Sequence, residues 1–150
     1  MIDWSVIEAW PLADAIRRSV WAYPLLETLH IAAFATLVGS LVVLELRVFG
    51  AQAPLSHVAL GRLVVRIAVP AFATAALAGA LLFISDAVQV AANPAFRVKL
   101  VLILMALANA VMFHARDSLR RHDRIARWQA GLSLALWFAV IAAGRMIAYI

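Results

Sequence analysis

The chain has 150 residues, of which 66% are hydrophobic and 14% charged, with no cysteine, a net charge of +5 and a mean hydropathy of +0.96. A soluble domain carries about a quarter of its residues as charges, so this composition excludes a water-soluble domain, a disordered chain, a disulfide-stapled module and a cysteine-ligated zinc or iron–sulfur centre. The basic balance does not point to nucleic acid, because the arginines stand at the ends of apolar segments, where membrane topology accounts for them.

Residues 1–21 mix Asp3, Glu8, Asp14, Arg17 and Arg18 with Trp4, Trp10 and Trp21. They lack the basic start, apolar run and small-residue site of a signal peptide. The pattern predicts an interfacial amphipathic segment held at the headgroups by tryptophan. Ser5 with Glu8 forms a capping box in this reading, and Pro11 with Asp14 opens a second short helix; a frayed terminus is the alternative.

Four apolar stretches follow, at 24–44, 67–85, 100–114 and 130–150. With their flanks they predict transmembrane helices at about 24–46, 60–88, 95–115 and 128–149, each near the roughly 20 residues that cross the hydrocarbon core. Polar connections at 50–54, 91–94 and 116–127 are too short for a second domain and imply that consecutive helices are antiparallel neighbours. The expected fold is therefore all-α, one integral membrane four-helix bundle spanning 1–150. Eight Lys and Arg residues fall on the side of the first and third connections and five on the other, which puts those loops in the cytoplasm and both termini outside.

Ionisable residues inside apolar helices cost about 2.5 to 3.5 kcal/mol each on insertion scales, so they are candidates for function. In the first helix Glu27 and His30 share a face, and Glu45, eighteen residues from Glu27, returns to the same direction after five turns. Glu27 and Glu45 can neutralise arginines near the headgroups, Glu45 having Arg47 beside it. His30 either bonds across the bundle or serves as a ligand or proton carrier. Pro70, with Thr74 a turn later, kinks the second helix.

The third helix carries Lys99 and His114, fifteen residues apart, which places them on one side but about 22 Å apart along the axis. Sorting by depth gives an outer group of Glu27, His30, Lys99 and Arg145, and an inner group of His57, His114, His122 and nearby arginines. Arg145 either snorkels or pairs with Glu27 or an anionic ligand. Paired histidines from different helices ligate haem, with Arg or Lys near the propionates. His57 with His114 fits that pattern, whereas the outer side offers His30 alone, with Lys99, water or nothing as the second ligand. No C-x-x-C-H motif is present, so any haem is non-covalent. Copper or zinc fits less well, since cysteine is absent and no two histidines stand at i, i+4. Met105 and Met112 read as packing, and so do Gly39, Gly79 and Gly144.

Several strings carry a resemblance: Glu27-Thr28-Leu29-His30, Gly39, Glu45-Leu46-Arg47, Asn93-Pro94-Ala95-Phe96-Arg97-Val98-Lys99, Asn109 to His114, and Gly144-Arg145. From Trp21 onward the chain resembles a family of small four-helix bacterial inner-membrane proteins of unknown function. More distantly it is similar to HemJ-type protoporphyrinogen oxidases, the membrane domain of copper-resistance protein D and small b-type cytochromes. The resemblance implies haem-linked roles for His30 and Lys99, which match the first-helix His and third-helix Lys of the HemJ type. The chain departs from that type around Asn93, Pro94 and Arg97.

The expected function is a multi-pass bacterial inner-membrane protein that binds haem b or a related tetrapyrrole for electron transfer. Its cofactor-binding residues are His30, His57, His114, Lys99, Arg97, Arg145 and Glu27, with the three histidines as iron ligands. The expected partners are the lipid bilayer, a redox protein or quinone, and a second copy of the chain, with no nucleic acid. The alternatives are a HemJ-like oxidase of a haem precursor, a proton or small-solute transporter with Glu27, His30 and Glu45 along its path, and a cofactor-free accessory subunit.

Overall fold

A computed structural model describes residues 3–51, 54, 56–121 and 123–150. These are all-α: α1 (Ser5–Glu8), α2 (Pro11–Arg18), α3 (Ala22–Val48), α4 (His57–Ser85), α5 (Ala87–Ala92), α6 (Pro94–Ala115), α7 (Ser118–Arg121) and α8 (Arg124–Met146). Four of them, α3, α4, α6 and α8, are long and apolar enough to cross a membrane, with 27, 29, 22 and 23 residues. At 1.5 Å per residue each covers the roughly 30 Å of a hydrocarbon core. The outward surface is apolar in a way that water would not tolerate: Leu77 in mid-helix is 69% exposed, and Val20, Trp21 and Trp128 are exposed at the two ends. The chain is a multi-pass membrane protein.

Local signals set the helix ends. Ser56 accepts from the Ala59 N–H at the start of α4, Asn93 Oδ1 from Ala95 and Phe96 at 2.9 and 3.4 Å at the start of α6, and Asp123 Oδ1 from Ala126 at 2.8 Å at the start of α8. α3 ends where Gly50, at φ 108°, turns the chain so that the Ala51 N–H reaches back to Leu46 O at 3.0 Å. α4 runs unbroken through Pro70.

Two antiparallel hairpins make the bundle. α3 packs on α4 along most of its length, α6 packs on α8, and α3 meets α8 to join the two. Ala68, Ala71, Ala75 and Ala78 are buried on α4, and these small residues let α3 approach closely. At the centre Trp137 lies edge-on to Phe34 and Phe72, with ring centroids 5.7 and 6.4 Å away, among Leu37, Val64, Leu136 and Val140.

Three expectations need correction. Consecutive spans are not all packed neighbours: α4 and α6 belong to different hairpins and meet at one end, where Phe83 and Phe96 stack at 5.2 Å. The reason is α5, which fills the connection with a turn of helix and separates the two spans. The Ser5–Glu8 capping box does not form. Asp3 Oδ1 instead accepts from Ser5 N and Oγ, and Glu8 Oε1 accepts from the Val88 N–H at 2.7 Å, capping α5. Gly39 is not a packing position, for nothing lies within 4 Å of where its Cβ would be.

The N-terminal segment is docked, not frayed. Arg17 donates to Ser85 O at 3.1 Å and to Glu8 O at 2.7 Å, and Trp4 sits edge-on to Phe83. α2 is amphipathic, burying Ala13 and Ile16 and exposing Arg18. The segment thus covers the corner between α4 and α5, at the end of the bundle that holds His30.

Candidate functional site

His30 sits in the third turn of α3 and faces α4. Its Nδ1 lies 2.7 Å from the Ala75 carbonyl oxygen, which can only accept, so Nδ1 carries the proton in this bond. In the neutral ring that leaves Nε2 with a lone pair. The ring reaches the α4 backbone because position 79, one turn after Ala75, is glycine: a Cβ there would lie 2.9 Å from His30 Cε1. Phe34, one turn along α3, stacks with the ring, with centroids 6.3 Å apart.

Lys99 reaches the same region from α6. Its stem lies along α8 at Gly144, where a Cβ would be 3.3 Å from Nζ and 3.5 Å from Cε. Nζ has no hydrogen-bond or ion-pair partner among the described residues. The charges of Lys99 and Glu27 both act on the His30 imidazole, so the three groups share one electrostatic neighbourhood. Each of the two side chains lies on a glycine of the helix it crosses. Both glycines therefore do pack closely, and what they pack against is the candidate chemistry.

Arg97 and Arg145 are directed elsewhere. Arg97 Nε donates to Ala91 O at 3.1 Å, back toward α5. Arg145 donates to Tyr149 Oη at 2.7 Å and lies over that ring, 5.0 Å from its centroid. Its pairing with Glu27 is not found among the described ion pairs, since Tyr149, just past the end of α8, satisfies the guanidinium locally.

At the opposite end His57 opens α4 and His114 lies in the last turn of α6, where its Nδ1 bonds to Ala110 O of its own helix at 2.8 Å. α7 packs against both helices at this end, and Leu119 fills the space beside Gly61 of α4. The His114 ring meets Ala110 and Phe113 of its own helix, and His57 has contacts of its own. His122 lies outside the described residues.

Instead, this end holds a buried polar cluster that the sequence reading missed. Glu45 of α3 is 5% exposed, and it is not neutralised by Arg47: Oε2 has no hydrogen-bond partner. Ser133 of α8 faces the carboxylate. Asn109 Nδ2 donates to Gln129 O at 2.9 Å, and Gln129 Oε1 accepts from Ser118 Oγ at 2.9 Å. The available signal was the recurrence of Asn109, Gln129 and Ser133 in otherwise apolar helices; their convergence depends on how α6 and α8 pair. Among the described residues no group of three or more His, Asp or Glu could hold a bare metal ion.

Compared with protein-family profiles, curated proteins and solved structures, the chain matches none.

Proposed function

We propose that this membrane protein binds haem b or a related tetrapyrrole at the His30–Lys99 centre and takes part in electron transfer. The observation that carries this reading is the His30 Nδ1–Ala75 O bond at 2.7 Å. A ligating histidine is characteristically held by such a bond, which fixes its tautomer, orients the ring and leaves Nε2 for the metal. The side chains present are of the kinds that hold such a group: an imidazole whose Nδ1 is fixed by a carbonyl, an ammonium from another helix, and an aromatic ring beside the imidazole. When bound, the group supplies one-electron redox chemistry. In this reading His30 would hold the iron through Nε2, the Lys99 ammonium would pair a propionate, and Phe34 would pack beside the imidazole. Residency in the bacterial inner membrane, with loops 1 and 3 in the cytoplasm, belongs to the same proposal, as do a redox protein or quinone as electron partner and a homo-oligomer.

The test is a reduced-minus-oxidised visible spectrum of protein purified in mild detergent, with a haem-to-protein ratio from pyridine haemochrome. The expected result is a sharp b-type band that the His30→Ala variant loses, its haem content falling by about tenfold or more. His57→Ala and His114→Ala retain it. A featureless spectrum after haem is supplied during expression overturns the reading.

The electrostatic influence of Lys99 on His30 also favours a second reading, oxidation of a haem precursor of the HemJ kind with its electrons passed to the proposed quinone. That reading expects rescue of a strain lacking protoporphyrinogen oxidase, and loss of rescue in Lys99→Met.

A further inference from the structure

At the end of the bundle away from His30, a cavity of about 40 Å³ lies among α3, α6 and α8. Most of its wall is apolar, contributed by residues such as Leu41, Val48 and Phe113. Glu45 lines it, and its carboxylate oxygen Oε2 is buried and has no hydrogen-bond partner. A buried polar group left in that state calls for an explanation, and a bound water or ion is one. The rest of the polar lining is neutral. Ser133 faces the carboxylate, and Asn109 has its amide committed to the Gln129 carbonyl, which leaves its own carbonyl oxygen as an acceptor.

We propose that Glu45, Ser133 and Asn109 form an intramembrane binding site for one monovalent cation, a proton or a sodium ion. Charge sets the valence. From α8 the cavity receives the neutral Gln129 and Ser133, and from α6 the neutral Asn109 and the exposed His114. No charged side chain of α4, α6 or α8 acts on Glu45, so its single negative charge calls for a single positive one. Arg47, two residues along α3, is buried and has contacts of its own. Oxygen donors set the chemistry, since carboxylate, hydroxyl and amide carbonyl suit a hard cation. Size sets the upper limit. One water occupies about 10 to 15 Å³ in this measure, so the cavity admits a small ion with a water or two and excludes an organic headgroup. His114 gives the site its exit: Nδ1 is held by Ala110 O, and Nε2 remains to pass a proton between the cavity and the surface.

The site shares no residue with the His30–Lys99 centre, so its test is independent of haem. The full chain in detergent is treated with dicyclohexylcarbodiimide, which adds to protonated membrane carboxyls, and modification is mapped by mass spectrometry. Exposed Glu27 serves as the internal control. The expected result is labelling at Glu45 that falls about tenfold per pH unit once the pH passes the carboxyl's midpoint. Protection by sodium chloride, but not by the same ionic strength of choline chloride, assigns sodium; pH dependence with no sodium effect assigns the proton alone. Thermal unfolding provides a second readout: the wild-type midpoint shifts with the assigned cation, and that of Glu45→Gln does not. Labelling of Glu27 without Glu45, or a wild-type midpoint that follows pH and sodium no differently from Glu45→Gln, overturns the proposal.

Discussion

The two glycines at 79 and 144 define the candidate centre as much as His30 and Lys99 do. A glycine inside a helix costs about 0.5 to 1 kcal/mol relative to alanine, and at these two positions the absent Cβ is what lets a polar side chain lie against a neighbouring backbone. Gly79→Val should force the imidazole off the Ala75 carbonyl. The expected outcome is loss of the b-type spectrum to the extent seen in His30→Ala, while a valine at Gly39, where nothing is near, leaves the spectrum unchanged. Equal spectra for both variants would separate the imidazole's seat from any haem binding. His30 was legible from the sequence because an ionisable residue in an apolar helix stands out against its neighbours. Its carbonyl partner was not, because every residue has a carbonyl and only the packing of α3 on α4 selects Ala75.

Capping residues outside the apolar stretches fix the elements, and here charge and pH enter. Asn93 both caps α6 and donates from Nδ2 to Ile147 O at 3.1 Å, tying the start of α6 to the end of α8. Asn93→Ala should cost about 1 to 2 kcal/mol, read as a lower midpoint in denaturant unfolding of the detergent-solubilised protein. Asp123 is held below the usual carboxylate range by the Ala126 N–H and then by the Arg116 and Arg121 charges. A carboxylate with a lowered folded-state pKa contributes stability above its unfolded value and loses it as pH falls through the folded one. The thermal midpoint should therefore drop as the pH falls below about 4, with a shallower drop in Asp123→Asn. An unchanged acid limb in that variant would assign the acid sensitivity to other carboxylates. Asp86 at the end of α4 has the opposite sign: burial and then Glu8 raise its pKa against the pull of Arg17, so its charged form opposes folding as pH rises.

For the molecule as a whole, one question is what holds a bundle together in a solvent as apolar as its own side chains. Close approach of small residues on α4 supplies one part, and the Trp137 cluster between the hairpins another. The N-terminal segment adds a third, since Arg17 bridges α1 to the end of α4. Arg17→Ala should release residues before Ala22 and make them susceptible to protease in detergent, leaving the four long helices intact. Cleavage within α3 or α4 at the same rate would show that Arg17 supports the bundle itself.

By itself the sequence determined the class, the four spans and the short amphipathic start, because the hydrocarbon core demands long uncharged helices and a single chain either has them or does not. It also singled out His30, Lys99 and Glu45, since each is expensive where it stands. Tertiary structure alone decided what those residues meet. Depth along a helix follows from counting residues, but the neighbours at that depth depend on how the hairpins pair. That pairing set His30 and Lys99 on their glycines, placed α7 against α4 and α6 at the His57 and His114 end, and enclosed Glu45 among neutral oxygens.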